Sequence, residues 1–280
     1  MLVRVALNTK CHWIELFHLP SPCKCPARLA TNEEHLYSGG YGAPAVASQE
    51  TRIQPLTRAG ARMTGIMQEQ THQSRSRTVQ VEIYADVICP WCYIGKRRLD
   101  LAFAQRPEIR PAYVWRAFLL NPTMPSTGMD RTAYLSAKFG NSAAAVYGRI
   151  AAAGLDSGID FRFDSIKRTP DSRLAHRMLI AAGPDNAELS EAIYSAYFIE
   201  GLDIGSPEVL GEIASRFDRP ELIEAASDEA VGKQLELHLS TANRLRLDGV
   251  PYFVFAEKYA VAGAHLPEHL IPAIDAAAAA

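Results

Sequence analysis

Two cysteines separated by two residues, Cys89-Pro90-Trp91-Cys92, are the part of this 280-residue chain best suited to chemistry. The nucleophile in disulfide exchange is the thiolate, not the thiol. A cysteine at the first turn of a helix meets unpaired backbone N–H groups and the positive end of the helix dipole, and both favour the anion. Cys92 follows by three residues, close enough to form a small disulfide ring with Cys89. One sulfur can then attack a partner disulfide and the other resolve the mixed disulfide. Pro90 suits the first helical turn, because its missing N–H has no partner there anyway. Trp91 offers a flat apolar surface beside the sulfur.

A CxxC can also be half of a zinc site. That reading needs a second Cys or His pair, and His176, His238, His265 and His269 are scattered along the chain. Redox use is therefore expected, with no metal and no cofactor other than a Cys89–Cys92 disulfide. The three remaining cysteines, Cys11, Cys23 and Cys25, lie in the first 77 residues. Cys23-Lys24-Cys25 lacks a second ligand pair and reads as incidental.

Chemistry of this kind needs a strand to deliver the cysteines and a helix to hold them. Val79-Gln-Val-Glu-Ile-Tyr-Ala85 alternates apolar and polar residues, which predicts a strand ending at Asp86. Tyr93 to Gln105 sets Ile94, Leu99, Leu101, Ala102 and Ala104 between charged residues, which predicts an amphipathic helix ended near Pro107. Ile109 to Phe118 predicts a second strand. Tyr113, Trp115 and Phe118 are expected in the sheet core. Helices are then predicted over 130–139, 142–153, 171–182, 187–200, 207–217 and 228–247, with Asp171, Ser206 and Asp228 as caps. Strand character returns at Gly249-Val-Pro-Tyr-Phe-Val-Phe255. A turn at Glu257-Lys258, a strand over Tyr259–Ala262 and a helix over 267–276 follow.

The expected architecture is α/β: a thioredoxin-like sheet, 79–128 and 248–276, with an all-helical domain, 129–247, inserted between its second and third strands. Residues 1–77 are rich in Pro, Gly, Ser, Thr, Gln and Arg and read as a disordered extension; an early start-codon assignment would also produce one. The segment from Met1 to Leu19 is interrupted by Lys10, His12 and Glu15, so it does not read as an export signal, and a cytoplasmic location is expected. The formal net charge of −2 argues against nucleic acid or an anionic membrane as partner. Protein thiols and disulfides, or low-molecular-weight thiols, are the expected partners.

In such a fold, Val250-Pro251 falls where a cis-proline faces the CxxC helix. The backbone of Val250 would there be free to pair with an extended substrate, so Val250 and Pro251 join Pro90 and Trp91 as candidate substrate-binding residues. Asp86, three residues before Cys89, is a candidate proton shuttle as well as a strand terminator. Lys96 is expected to be solvent-exposed. His176 is expected to be a satisfied or surface residue rather than part of the cleft.

Val87-Ile-Cys-Pro-Trp-Cys-Tyr-Ile-Gly-Lys96, Asn121-Pro122, Arg168-Thr-Pro170, Ala175-His-Arg177, Gly249 to Phe255 and Tyr259-Ala-Val-Ala-Gly263 together resemble the FrnE-type branch of the DsbA-like oxidoreductases. The resemblance spans about residues 79–275. It implies a thioredoxin fold with a helical insertion and thiol–disulfide oxidase or isomerase activity, with Cys89 the attacking thiol, Cys92 the resolving thiol and Pro251 the cis-proline. The related 2-hydroxychromene-2-carboxylate isomerases and kappa-class glutathione transferases supply the alternative, glutathione-dependent isomerisation or transfer. They use serine where this chain has Cys89. They also carry a Gly-(Ser/Asn)-Asp-Arg segment where this chain has Gly263-Ala-His-Leu266. A third alternative is a non-catalytic protein-binding module or a zinc-binding chaperone.

Overall fold

A computed structural model describes residues 3–4, 77–184 and 186–280. Cys11, Cys23, Cys25 and nearly all of the expected extension lie outside the described residues. Within them the strands are β1 (Val3–Arg4), β2 (Arg77–Ala85), β3 (Ile109–Ala117), β4 (Met129–Asp130), β5 (Arg168–Thr169), β6 (Tyr252–Phe255) and β7 (Tyr259–Ala262). The helices are α1 (Pro90–Ala104), α2 (Arg131–Phe139), α3 (Ala143–Leu155), α4 (Arg173–Ala182), α5 (Ala187–Phe198), α6 (Pro207–Ser215), α7 (Leu222–Ala226), α8 (Glu229–Arg244) and α9 (Pro267–Ala278).

Alternation along β2 sends Val79, Val81, Ile83 and Ala85 to one face of the sheet, where they join the main core with α1 and α9. Tyr84 points the other way, to a small cluster with Val254, Ala260 and Ala242 of α8. The sheet order is β1-β7-β6-β2-β3. β2 runs parallel to β3 with Ile83 opposite Trp115, and antiparallel to β6 with Ile83 opposite Phe253. β3 is an edge strand, which is why Pro111 can sit in it without leaving a ladder bond unmade. The β6–β7 turn carries Ala256 and Glu257 at positive φ, 47° and 57°.

Between β3 and β6 the chain is helical apart from the two-residue antiparallel pair β4–β5. Ser206 and Asp228 cap α6 and α8 as expected, by accepting from Val209 N–H and Ala230 N–H. Asp171 accepts from Arg173 N–H at 3.2 Å while Ser172 occupies the cap position. α7 was not foreseen. At five residues it is too short to show a period, and it exists because Leu222 and Ala226 are buried in the core.

The amphipathic reading of α1 needs correction. Leu101 is 46% exposed, whereas Lys96 and Arg98 are buried. α1 packs against α9 and β3 and also against α3 and α5, so its first three turns are wrapped on nearly every side. A helix enclosed in this way has no single polar face for the sequence to mark.

Candidate active site

The turn that joins β2 to α1 is fastened at Asp86. Its carbonyl accepts from Cys89 N–H at 3.0 Å, and its Oδ1 accepts from Ile88 N–H at 3.3 Å. Cys89 is the N-cap of α1, with Pro90 at the first helical position. Its carbonyl accepts from Cys92 N–H at 3.0 Å and Tyr93 N–H at 3.3 Å, so the first turn closes on Cys89. Its side chain caps nothing.

Both cysteines are free thiols. Cys89 Sγ has the Val250 carbonyl at 4.0 Å, a long S–H···O contact across 161 residues of chain. The Val250–Pro251 bond is cis, as expected. The elements therefore bring together four of the residues singled out from sequence: Cys89, Cys92, Val250 and Pro251. Gly95, which the sequence reading quoted only within a longer stretch, makes that meeting possible. A Cβ on Gly95 would lie 2.7 Å from Pro251 Cγ and 3.2 Å from Phe253 Cζ. Its signal was available: glycine inside a helix disfavours it by about 1 kcal/mol, and such a residue commonly marks close approach.

Disulfide exchange needs the attacking sulfur to meet its partner, yet both sulfurs are covered. Cys89 is only 4% exposed and Cys92 1%. The neighbours that reach the surface are Trp91 and Val250, both partly exposed. A partner disulfide that meets Cys89 must do so past them.

The two sulfurs are not equivalent. Burial pushes the Cys92 thiol well above the ordinary range. The hydrogen bond and charge of Cys89 add to this, while the main-chain N–H of Asp86 works against it and the Asp86 carboxylate raises it further. Cys92 thus holds its proton. Asp86 is itself wholly buried, and its Oδ2 accepts from Leu120 N–H at 2.8 Å. His176 takes the satisfied of its two expected positions. It is fully buried, with Nε2 3.2 Å from Asp86 Oδ1 and Nδ1 3.1 Å from Trp115 Nε1.

Lys96 was expected in solvent and is instead 7% exposed at its side chain. It pairs with Asp100 at 2.9 Å and Glu191 at 3.6 Å. The closer pair is the local one on α1, and the helical block adds Glu191 as a second, tertiary partner. Among the described residues no group of three or more His, Cys, Asp or Glu side chains could hold a metal, and no described helix is long and apolar enough to cross a membrane.

A CxxC at the start of the helix after the first core strand, facing a cis-proline at the head of the third, defines a thioredoxin-fold thiol protein. More narrowly, the chain belongs to the DSBA-like thioredoxin domain family, whose model matches residues 80–275. A probable DsbA oxidoreductase from Streptomyces coelicolor is 28% identical with a TM-score of 0.63, covering 71% of this chain and 89% of that one. The cytosolic disulfide reductase DsbM from Pseudomonas aeruginosa shares the fold at 18% identity and a TM-score of 0.50, covering 71% of this chain and 95% of DsbM. The uncharacterised protein YwbO of Bacillus subtilis is 25% identical over 140 residues, 49% of this chain. The match spans 65% of YwbO's own length.

Proposed function

We propose that the protein is a cytoplasmic thiol–disulfide oxidoreductase of the FrnE type, exchanging disulfides with protein or low-molecular-weight thiols through Cys89 and Cys92. The observation that carries this is the cluster of Cys89 Sγ, the Val250 carbonyl and the cis Val250–Pro251 bond, with a proton-holding Cys92 behind it. Cys89 as thiolate attacks one sulfur of a partner disulfide, and the other partner sulfur leaves as a thiolate. Cys92 then loses its proton to Asp86 and attacks Cys89 Sγ. The second partner sulfur departs, and the protein is left with a Cys89–Cys92 disulfide. Two electrons pass from the cysteine pair to the partner, and the reverse sequence oxidises a dithiol. Val250 and Pro251, with Pro90 and Trp91, form the surface on which the partner rests. No cofactor beyond the cysteine pair is required.

The glutathione-dependent alternative gains nothing from a cysteine at position 89 or from the absence of an acidic or arginine residue in Gly263-Ala-His-Leu266. The test is a redox titration of the pair together with insulin reduction by dithiothreitol. The wild type should titrate as one two-electron couple, and Cys89→Ser should lose at least about a thousandfold of the catalysed rate, as removal of a covalent nucleophile does. Full activity in Cys89→Ser, or no reversible disulfide in the wild type, would remove the reading.

A further inference from the structure

His176 takes no part in those steps, yet both its ring nitrogens are committed. Trp115 Nε1–H can only donate, so His176 Nδ1, 3.1 Å away, must accept. The ring proton of the neutral imidazole therefore sits on Nε2, which faces Asp86 Oδ1 at 3.2 Å and donates to it. The tautomer follows from the chemistry of an indole. Charging the ring would put a second proton on Nδ1, against the indole N–H.

Asp86 Oδ1 receives Ile88 N–H and His176 Nε2–H, while Oδ2 receives Leu120 N–H at 2.8 Å. A carboxylate offers about four acceptor sites, two on each oxygen. Oδ1 is filled and Oδ2 keeps one. Cys92 and Tyr194 are among the titratable groups that feel the charge of Asp86, with His176 on Oδ1 and Cys89 three residues away, and the Tyr194 hydroxyl is 3.4 Å from the Asp86 carbonyl. Among the described residues no Lys or Arg lies within ion-pair distance of this buried carboxyl, so main-chain N–H groups and one imidazole are what hold it. His176 is the one side chain among them. It comes from α4 in the helical block, 90 residues from Asp86.

We propose that His176 is a positioning residue for disulfide exchange: Trp115 fixes its tautomer, it holds Oδ1 of Asp86, and Oδ2 is thereby left as the acceptor for the Cys92 proton. The inference rests on the reading that Asp86 receives that proton, and the experiment separates the two.

5,5′-Dithiobis(2-nitrobenzoate) releases one chromophoric thiolate when Cys89 attacks and a second when Cys92 resolves the mixed disulfide. Both phases are followed against pH in the full chain as wild type and as Asp86→Asn, His176→Phe, His176→Gln and Trp115→Phe. His176→Phe should slow the second phase at neutral pH at least about tenfold, the scale of a misplaced general base, and leave the first within about twofold. Its pH profile should move alkaline, as that of Asp86→Asn does. His176→Gln, which keeps an N–H to offer, should recover most of the rate. Trp115→Phe, which frees Nδ1 to take a proton, should fall between. If Asp86→Asn shifts the second phase and His176→Phe does not, the inference falls and the role of Asp86 stands; a wild-type profile in Asp86→Asn removes both. Should His176→Phe fail to fold, 15N shifts of the His176 ring in the unaltered protein decide. The Nε2–H form must persist through neutral pH, and an Nδ1–H form or an imidazolium overturns the proposal.

Discussion

Helix α1 is held from two directions, and the two contacts work by different physics. Towards the sheet it presents Gly95, whose missing side chain lets Pro251 and Phe253 close in. Towards the helical block it presents Tyr93, Lys96 and Arg97. The Tyr93 ring stacks on Tyr194 at 4.9 Å, and its hydroxyl donates to Glu191 at 2.6 Å. Arg97 Nε donates to Glu191 at 3.1 Å, and Lys96 divides between Asp100 and Glu191. Two cations thus meet two carboxylates. The first contact is a matter of shape, insensitive to pH and intolerant of one methyl group. The second is a balance of charge, tolerant of small changes in shape and sensitive to the loss of any one partner. A helix gripped by shape beside its cis-proline and by charge on its far side is fixed at the turn that carries both sulfurs.

The sharpest way to break this comparison is Gly95→Ala. If the site had room, alanine would stabilise the helix by about 1 kcal/mol. The contact at 2.7 Å to a proline ring, which cannot rotate away, reverses the sign. Overpacking of this kind costs about 1–3 kcal/mol, and here it displaces the segment that carries Val250. We expect a lower midpoint in urea and a slower first phase with the aromatic disulfide. A variant more stable than wild type would show that the sheet side is not closed by shape.

Glu191→Gln addresses the other side. It keeps an acceptor for the Tyr93 hydroxyl but removes one of the two negative charges facing Lys96 and Arg97. Lys96 retains Asp100, and Glu191 is 27% exposed at its side chain, so the full penalty for a stranded buried charge does not apply. A loss of about 1–2 kcal/mol is expected. It should shrink in high salt, unlike that of Gly95→Ala. A salt-independent loss would mean that the far side, too, is held by shape.

What the sequence made legible divides along the same line. β2 carries its own period, β6 and β7 are short apolar runs bounded by turn signals, and the CxxC announces α1, so the sheet side was readable from segments of fewer than twenty residues. Ser206 and Asp228 were readable as caps for the same local reason. The far side was not. Lys96 looks like a surface lysine because its partner Glu191 belongs to α5, and no spacing rule links them. His176 gives even less away: its donor lies on β3 and its acceptor beyond the end of β2, and only the fold brings them to one ring. The burial of Cys89 was likewise invisible, because local sequence does not specify which side chains cover a sulfur.

The smallest effect, and the one that isolates the charge balance from the packing, is Tyr93→Phe read against pH. Burial pushes the Tyr93 phenol up to about 12, and the Glu191 carboxylate adds to the rise while Arg97 opposes it. The unfolded chain loses this proton near pH 10, the ordinary value. Below pH 10 both states are protonated and the stabilisation is complete. From 10 to about 12 the unfolded state ionises while the folded state cannot, so stability falls as pH rises. Phenylalanine keeps the ring on Tyr194 and removes the ionisation. At pH 7 it should cost under about 1 kcal/mol, the worth of one hydrogen bond whose acceptor keeps Arg97 and Lys96. Between pH 10 and 12 its urea midpoint should fall less steeply than that of the wild type. Parallel curves over that interval would mean that the Tyr93 proton is not held by the fold, and that the far face of α1 owes its stability to stacking rather than to charge.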